Sequence, residues 1–214
     1  MNKALIIAAS LLLPAAGATA QKQDVTITGN VKGVNSGKVY LQKFNNKMFF
    51  TVDSAELKNG KFSFKKQLEL PELYGLTINQ DKNPLYVFLE SGKITADIDT
   101  AKYYSASSIT GSKSNDLFTA YKKQKDVKID EFIKQNPSSI VSAYVLYRDF
   151  SYRLTANQIR ENISYLDPSL RNTPYVTVLN DLVGVLGTVD IGKAAPDFTA
   201  LDPDGKSESL SQHR

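Results

Sequence analysis

The sequence contains no cysteine among its 214 residues. Disulfide exchange uses a thiolate as its nucleophile, and many structural metal sites use thiolates as ligands. The absence therefore excludes both kinds of chemistry for this chain. It also excludes a disulfide framework and a lipid attached to an N-terminal cysteine.

Histidine is nearly absent as well, occurring only at His213. A lone histidine close to the terminus is typical of a solvated side chain rather than of a general base or ligand. A Ser-His-Asp arrangement would require this side chain to be held in place, which nothing nearby suggests. Glycine-rich phosphate loops, HExxH and calcium-loop patterns are also missing. We expect no catalytic, cofactor-binding or metal-binding residue.

One carboxylate pair permits an alternative. Asp97 and Asp99, in the segment ITADIDT, share one face of a predicted strand, where they would bind Ca²⁺ or act as acid and base. The simpler interpretation makes them the polar face of a strand whose apolar residues at 94, 96 and 98 face the core. We favour the simpler interpretation.

A long basic segment is missing too. Lysines are densest at residues 122–128, but Asp126, Asp130 and Glu131 are interspersed with them or follow them closely. Such a mixture is typical of a solvated helix face and not of a nucleic-acid patch. We therefore expect no nucleic acid among the partners.

The longest apolar run lies in residues 1–20. A lysine precedes the ten-residue apolar core ALIIAASLLL, and a small-x-small site follows at residues 18–20. Ten residues fall short of the ~20 needed to span a bilayer. The pattern predicts a signal peptide removed after Ala20, so that the mature chain begins at Gln21. We expect a periplasmic or secreted protein without a lipid anchor or a transmembrane segment.

Residues 21–111 carry the patterns of β-strands. Apolar residues alternate in VTITGNVKG and GKVYLQKF, and LYVFLE is a short buried run. Asn59-Gly60 is the preferred pair for a type I′ hairpin turn. Phe62 and Phe64 then share one face of the return strand. The region is predicted to be an antiparallel β-sandwich or a strongly curved sheet.

Residues 112–187 carry the patterns of helices. A helical period covers residues 112–135, and the chain restarts at Pro137. Thr155 to Gln158 fits a capping box, and Pro174 opens the last helix. Strands followed by helices predict an α+β fold with the two kinds segregated. Three tyrosines have the spacing of a helix core: Tyr144, Tyr147 and Tyr175.

Residues 188–214 are predicted to be a linker followed by a hairpin. Residues 196–201 favour a strand, Asp202 to Gly205 favours a turn, and residues 206–210 favour a return strand. The hairpin has almost no core of its own.

The segment IGKAAPDFTALDPDGKSESLS resembles the entry to a thioredoxin-like domain of the alkyl hydroperoxide reductase/thiol-specific antioxidant (AhpC/TSA) type. Upstream, the predicted signal peptide and five further segments together resemble the uncharacterised β-sandwich domain that precedes such domains in exported bacterial thiol:disulfide oxidoreductases. The segments are ITGNVKG, GKVYLQ, VDSAELKNGKFSF, PLYVFLESGKITADID and ITGSKSNDLF. Glu208 departs from the resemblance, because that strand position is usually apolar. The matching residues of the first segment are Gly192, Ala195, Pro196, Phe198, Asp202, Gly205, Lys206, Ser209 and Leu210.

The resemblance implies a thiol:disulfide oxidoreductase whose Trp-Cys-x-x-Cys motif lies beyond these residues. Without cysteine the chain as given is predicted to be inactive. We expect a truncated, non-catalytic accessory domain that positions a periplasmic thioredoxin-like reductase against a protein partner, a substrate or the membrane surface. The alternative is a standalone exported module that binds a ligand or protein at the cell surface.

Overall fold

A computed structural model of the chain describes residues 22–79, 83–189 and 191–214. The predicted signal peptide and its cleavage site lie outside the described residues. Eight strands of the described residues form the larger sheet. They are β1 (Lys22–Val31), β2 (Ser36–Asn45), β3 (Met48–Lys58), β4 (Lys61–Glu69), β5 (Glu72–Ile78), β6 (Leu85–Leu89), β7 (Gly92–Ile98) and β8 (Ser108–Thr110).

The larger sheet has the strand order β6-β5-β2-β3-β4-β1-β7-β8. Its pairs are antiparallel except for β1 and β7, which run parallel. Of the two predicted alternatives, a sandwich or a strongly curved sheet, the structure has a single sheet, because hydrogen bonds join all eight strands. The junction between β3 and β4 is weak, however, with the single ladder pair Lys58 and Lys61. Buried side chains from both sides of this junction form one core cluster.

The turn between β3 and β4 has the geometry that its sequence predicts. Asn59 and Gly60 have φ angles of 50° and 73°, as a type I′ turn requires at both central positions. Phe62 and Phe64 follow on β4 and are buried, with their ring centroids 5.9 Å apart. Phe64 lies opposite Ile27 of β1. The predicted core face of this hairpin is therefore confirmed.

Five α-helices follow among the described residues. The helix predicted over residues 112–135 is divided, because residues 124–128 are not helical and Asp126 has a φ of 55°. The capping box of Thr155 and Gln158 and the Pro174 start are confirmed. A π-helical turn continues the third helix over Leu146–Phe150. The helices are α1 (Lys113–Lys123), α2 (Ile129–Gln135), α3 (Ile140–Val145), α4 (Ala156–Tyr165) and α5 (Pro174–Thr188).

The helices share a second core cluster with one side of the sheet. Phe44 of β2, Leu73 of β5 and Phe88 of β6 contribute to this cluster. The Phe88 ring lies 5.0 Å from that of Phe118 in α1 and 5.3 Å from that of Tyr144 in α3, between centroids. Burial of these rings fixes the helices against the sheet.

The C-terminal residues form a separate two-stranded sheet of β9 (Thr199–Leu201) and β10 (Ser207–Ser209). The two strands are antiparallel, so the predicted hairpin is present with shorter strands. Its apolar side chains are largely uncovered: Phe198 is 61% exposed and Leu201 is 72% exposed. Within the described part of the chain, every helix is too short or too polar to cross a membrane.

Candidate binding cleft between the sheet and the helices

A cavity of about 740 Å³ lies where the sheet meets the helices, and we call it the binding cleft. Its volume falls within the range of small-molecule sites, roughly 300–1,000 Å³. Its walls come from the end of β2, the β4–β5 connection, the π-helical turn and the start of α5. Phe44, Ile140, Tyr147 and Leu170 supply apolar surface. The cleft thus combines an apolar wall with the polar groups described next.

Glu72 is the most deeply placed acidic residue of the cleft. Its Oε1 accepts a hydrogen bond from the Leu73 backbone N–H at 2.7 Å and a second from the Tyr175 hydroxyl. Burial raises the pKa of the Glu72 carboxyl above its ordinary value, and the hydrogen bond from Tyr175 only partly opposes that shift. Burial and the adjacent Glu72 also raise the pKa of Tyr175. Tyr175 therefore acts as a hydrogen-bond donor to this carboxyl.

Two chain segments distant in sequence bring this pair together. Glu72 is the first residue of β5, directly after the cis Leu70–Pro71 peptide bond. Tyr175 lies in the first turn of α5, after Pro174, and is only 3% exposed. Packing of α5 on the sheet therefore places the phenol against the carboxyl.

The rim of the cleft carries an ion pair. The Lys43 ammonium contacts the Glu69 carboxylate, and both side chains are partly exposed. The Tyr74 hydroxyl donates to the Glu69 backbone carbonyl at 3.3 Å. Gln23 donates through Nε2 to the Leu70 carbonyl at 3.2 Å. The rim is thus polar and held by hydrogen bonds from β1 and β5.

The residues that the sequence singled out lie elsewhere. His213 Nε2 is 3.3 Å from a Glu208 carboxylate oxygen on the C-terminal hairpin, and it is exposed. Asp97 is exposed on β7. Asp99 accepts from the Ala101 backbone N–H, which lowers the pKa of Asp99, and from Lys32 at 3.0 Å.

The apolar residues at 94, 96 and 98 are buried, so the polar-face interpretation is confirmed for Asp97. Asp99 lies just beyond β7, which ends at Ile98. Across residues 22–79, 83–189 and 191–214, no group of three or more acidic, His or Cys side chains is placed to hold a metal ion.

Sequence reasoning assigned Tyr175 to the core, and its ring does pack there against Tyr144 and Tyr147. It missed the contact of the Tyr175 hydroxyl with Glu72, which lies 103 residues earlier in the chain. One signal was available. Glu72 stands between a proline and the apolar run LYGLTI, where a charged side chain is costly unless it has partners.

A second, shallower hollow lies beside the π-helical turn. Lys122, Arg148 and Arg153 supply three cations there, against the one carboxylate of Asp149. The Tyr121 hydroxyl donates to Asp149 at 2.9 Å. This hollow is therefore basic, whereas the binding cleft carries two carboxylates and one ammonium.

A comparison with curated proteins finds no significant match. A family model matches residues 25–118, which extend from β1 into α1. The matched segment includes Lys43, Glu69 and Glu72 of the cleft, whereas Tyr175 lies outside it. The β-rich part of the chain is thus similar to the family described as "Domain of unknown function (DUF4369)".

Proposed function

We propose that this chain is a non-catalytic accessory module of an exported thioredoxin-like thiol:disulfide oxidoreductase. Two features of the sequence support the proposal: the resemblance of residues 191–214 to the entry of such a domain, and the absence of cysteine from all 214 residues. In this proposal, residues 22–189 bind a partner or substrate, and thiol chemistry belongs to a thioredoxin-like unit. The segment of residues 1–20 directs export.

The exposure of the C-terminal hairpin is the observation that carries this proposal. Phe198 and Leu201 are apolar and mostly exposed, and a two-stranded hairpin is marginally stable in water on its own. A thioredoxin-like unit that included β9 and β10 would cover these side chains. Their exposure costs about 25 cal/mol per Å² of apolar surface left in water.

To test this proposal, the native polypeptide that contains residues 22–189 is isolated from the cells that produce it. An antibody raised against residues 22–189 isolates it, and a maleimide reagent of known mass counts its thiols under denaturing, reducing conditions. We expect a polypeptide that begins at Gln21 and carries at least two reactive thiols. A native polypeptide without thiols would contradict the proposal, and retention of Met1 would contradict export.

The second candidate function is a standalone exported module that binds a ligand or protein at the cell surface. The binding cleft favours it, because a cavity of about 740 Å³ with the half-buried carboxyl of Glu72 in its wall is suited to a small ligand or a peptide side chain. A thiol-free native polypeptide whose cleft binds a ligand would decide for this candidate.

A further inference from the structure

Charge is unevenly distributed in the binding cleft. Its charged lining residues are Lys43, Glu69 and Glu72, which leaves a net charge of −1 when all three are ionised. Lys43 contacts Glu69 at the rim. Glu72 makes no salt bridge to any residue that the structure describes, and its recorded hydrogen bonds both use Oε1. The deeper carboxyl therefore has a hydroxyl and an amide as partners but no cation in contact.

Glu72 is half-buried, and a carboxylate partly removed from water without a cation in contact is costly. A cation that enters the cavity would offset that cost. The surroundings also suit an alkyl chain. Phe44, Ile140 and Leu170 line the cavity with apolar side chains. The Tyr147 ring lies in the same lining and adds apolar surface, and the Lys47 ammonium lies over this ring, 5.8 Å from its centroid.

We propose that the binding cleft holds the alkylammonium group of a ligand, with the Glu72 carboxylate as its counter-ion; this inference rests on the second candidate function. The alkyl chain lies against the apolar wall, and the ammonium replaces water at the carboxylate. Lysine side chains and peptide N-termini both carry this chemistry.

The protonation of Glu72 makes binding depend on pH. The groups that face this carboxyl are Lys43 of β2, Glu69 of β4, Tyr74 of β5 and Tyr175 of α5. Burial raises the pKa of Glu72, whereas a bound ammonium favours the ionised form. Affinity therefore rises with pH through the pKa of the free protein, and binding below that pKa releases a proton.

Three probes of equal length test the inference: butylammonium, butanol and butyrate. Each is titrated into the ¹⁵N-labelled chain, and amide shifts of the cleft residues are followed by NMR. We expect butylammonium to shift the amides of Glu72 and Leu73 and of α5, with weaker or no shifts from the other two. Calorimetry in two buffers of different ionisation heat then counts the released proton.

Two variants should change the affinity in opposite directions. Glu72→Gln keeps an acceptor for the Tyr175 hydroxyl but removes the charge, so butylammonium affinity should fall about tenfold or more. Lys43→Gln removes the competing cation, so affinity should rise by about two- to fivefold. Glu56→Gln is the matched control, since Glu56 is an exposed β3 residue outside the cleft lining, and it should leave affinity unchanged. The opposing directions separate a charge effect from a general loss of folding.

The source of the ammonium is distinguished with Nα-acetyl-lysine N-methylamide and trialanine. Tighter binding of the first supports a lysine side chain, and tighter binding of the second supports a peptide N-terminus. Butyrate or butanol binding as tightly as butylammonium in the cleft would overturn the inference while leaving the cleft as a binding site. An unchanged affinity in Glu72→Gln would also overturn it. If none of the probes shifts cleft amides, this inference is overturned, whereas the second candidate function is decided by the thiol count and ligand binding of the native polypeptide.

Discussion

Replacement of Phe88 by alanine tests the joint core of sheet and helices. Phe88 is fully buried on β6, and its ring contacts Phe118 and Tyr144 from two different helices. A buried Phe→Ala change costs about 3–5 kcal/mol of unfolding free energy. That range includes the two ring contacts, each worth about 0.5–1.5 kcal/mol beyond area burial. Because domains are stable by only about 5–15 kcal/mol, the variant should be severely destabilised.

Urea denaturation measures this loss. With a slope of about 2 kcal/mol per molar urea, the midpoint should fall by about 1.5–2.5 M. Circular dichroism at far-ultraviolet wavelengths reports the helices, and tyrosine near-ultraviolet signals report the packing. Both transitions should move together. Phe50→Ala is the control, because Phe50 is half exposed on β3 and should cost no more than about 0.5 kcal/mol. A Phe88 variant that matches this control, or that shifts only one signal, would refute the joint core.

Two further predictions concern the sheet and the cleft. Phe64→Ala should lower the urea midpoint more than Asn59→Ala, because the Phe64 side chain is only 2% exposed, whereas Asn59→Ala acts through turn geometry. The reverse order would mean that this face of the hairpin is not the core. Because the pKa of Glu72 is raised in the folded state, the folded state binds more protons than the unfolded state at pH values above the ordinary pKa of 4.5. Stability therefore falls as the pH rises from that value through the pKa of the folded state. Glu72→Gln should therefore raise Tm at pH 8 and leave it nearly unchanged at pH 4, and equal Tm changes at both values would contradict the shift.

Local features of the fold were predictable because neighbouring residues determine them. The Asn59-Gly60 turn and the Thr155–Gln158 capping box follow from short-range hydrogen bonds and backbone preferences. The pairing of β1 with β7 was not predictable, because alternating patterns do not identify which strands become neighbours. The break after α1 was not predicted either, because the residues at 124–128 (QKDVK) have no strong preference against a helix.

The site was harder to predict than the fold. Glu72 and Tyr175 each looked ordinary in its own segment, and only packing of α5 on the sheet brings them into contact. The position of Glu72 beside an apolar run was a local sign of a polar group partly removed from water. The spacing of residues along the chain could not identify Tyr175 as its partner. Lys43 likewise meets Glu69 only through the arrangement of β2 and β4.

The most direct test of the account is hydrogen exchange of the chain in dilute solution. We propose that the C-terminal hairpin belongs to a thioredoxin-like unit and not to the sheet-and-helix body. Amides of β9 and β10 should then exchange within seconds, while those of Phe64 and Leu179, both buried in the body, stay protected. Protection of the hairpin comparable to that of Phe64 and Leu179, in a monomer, would show that it is an integral part of this fold and contradict the claim.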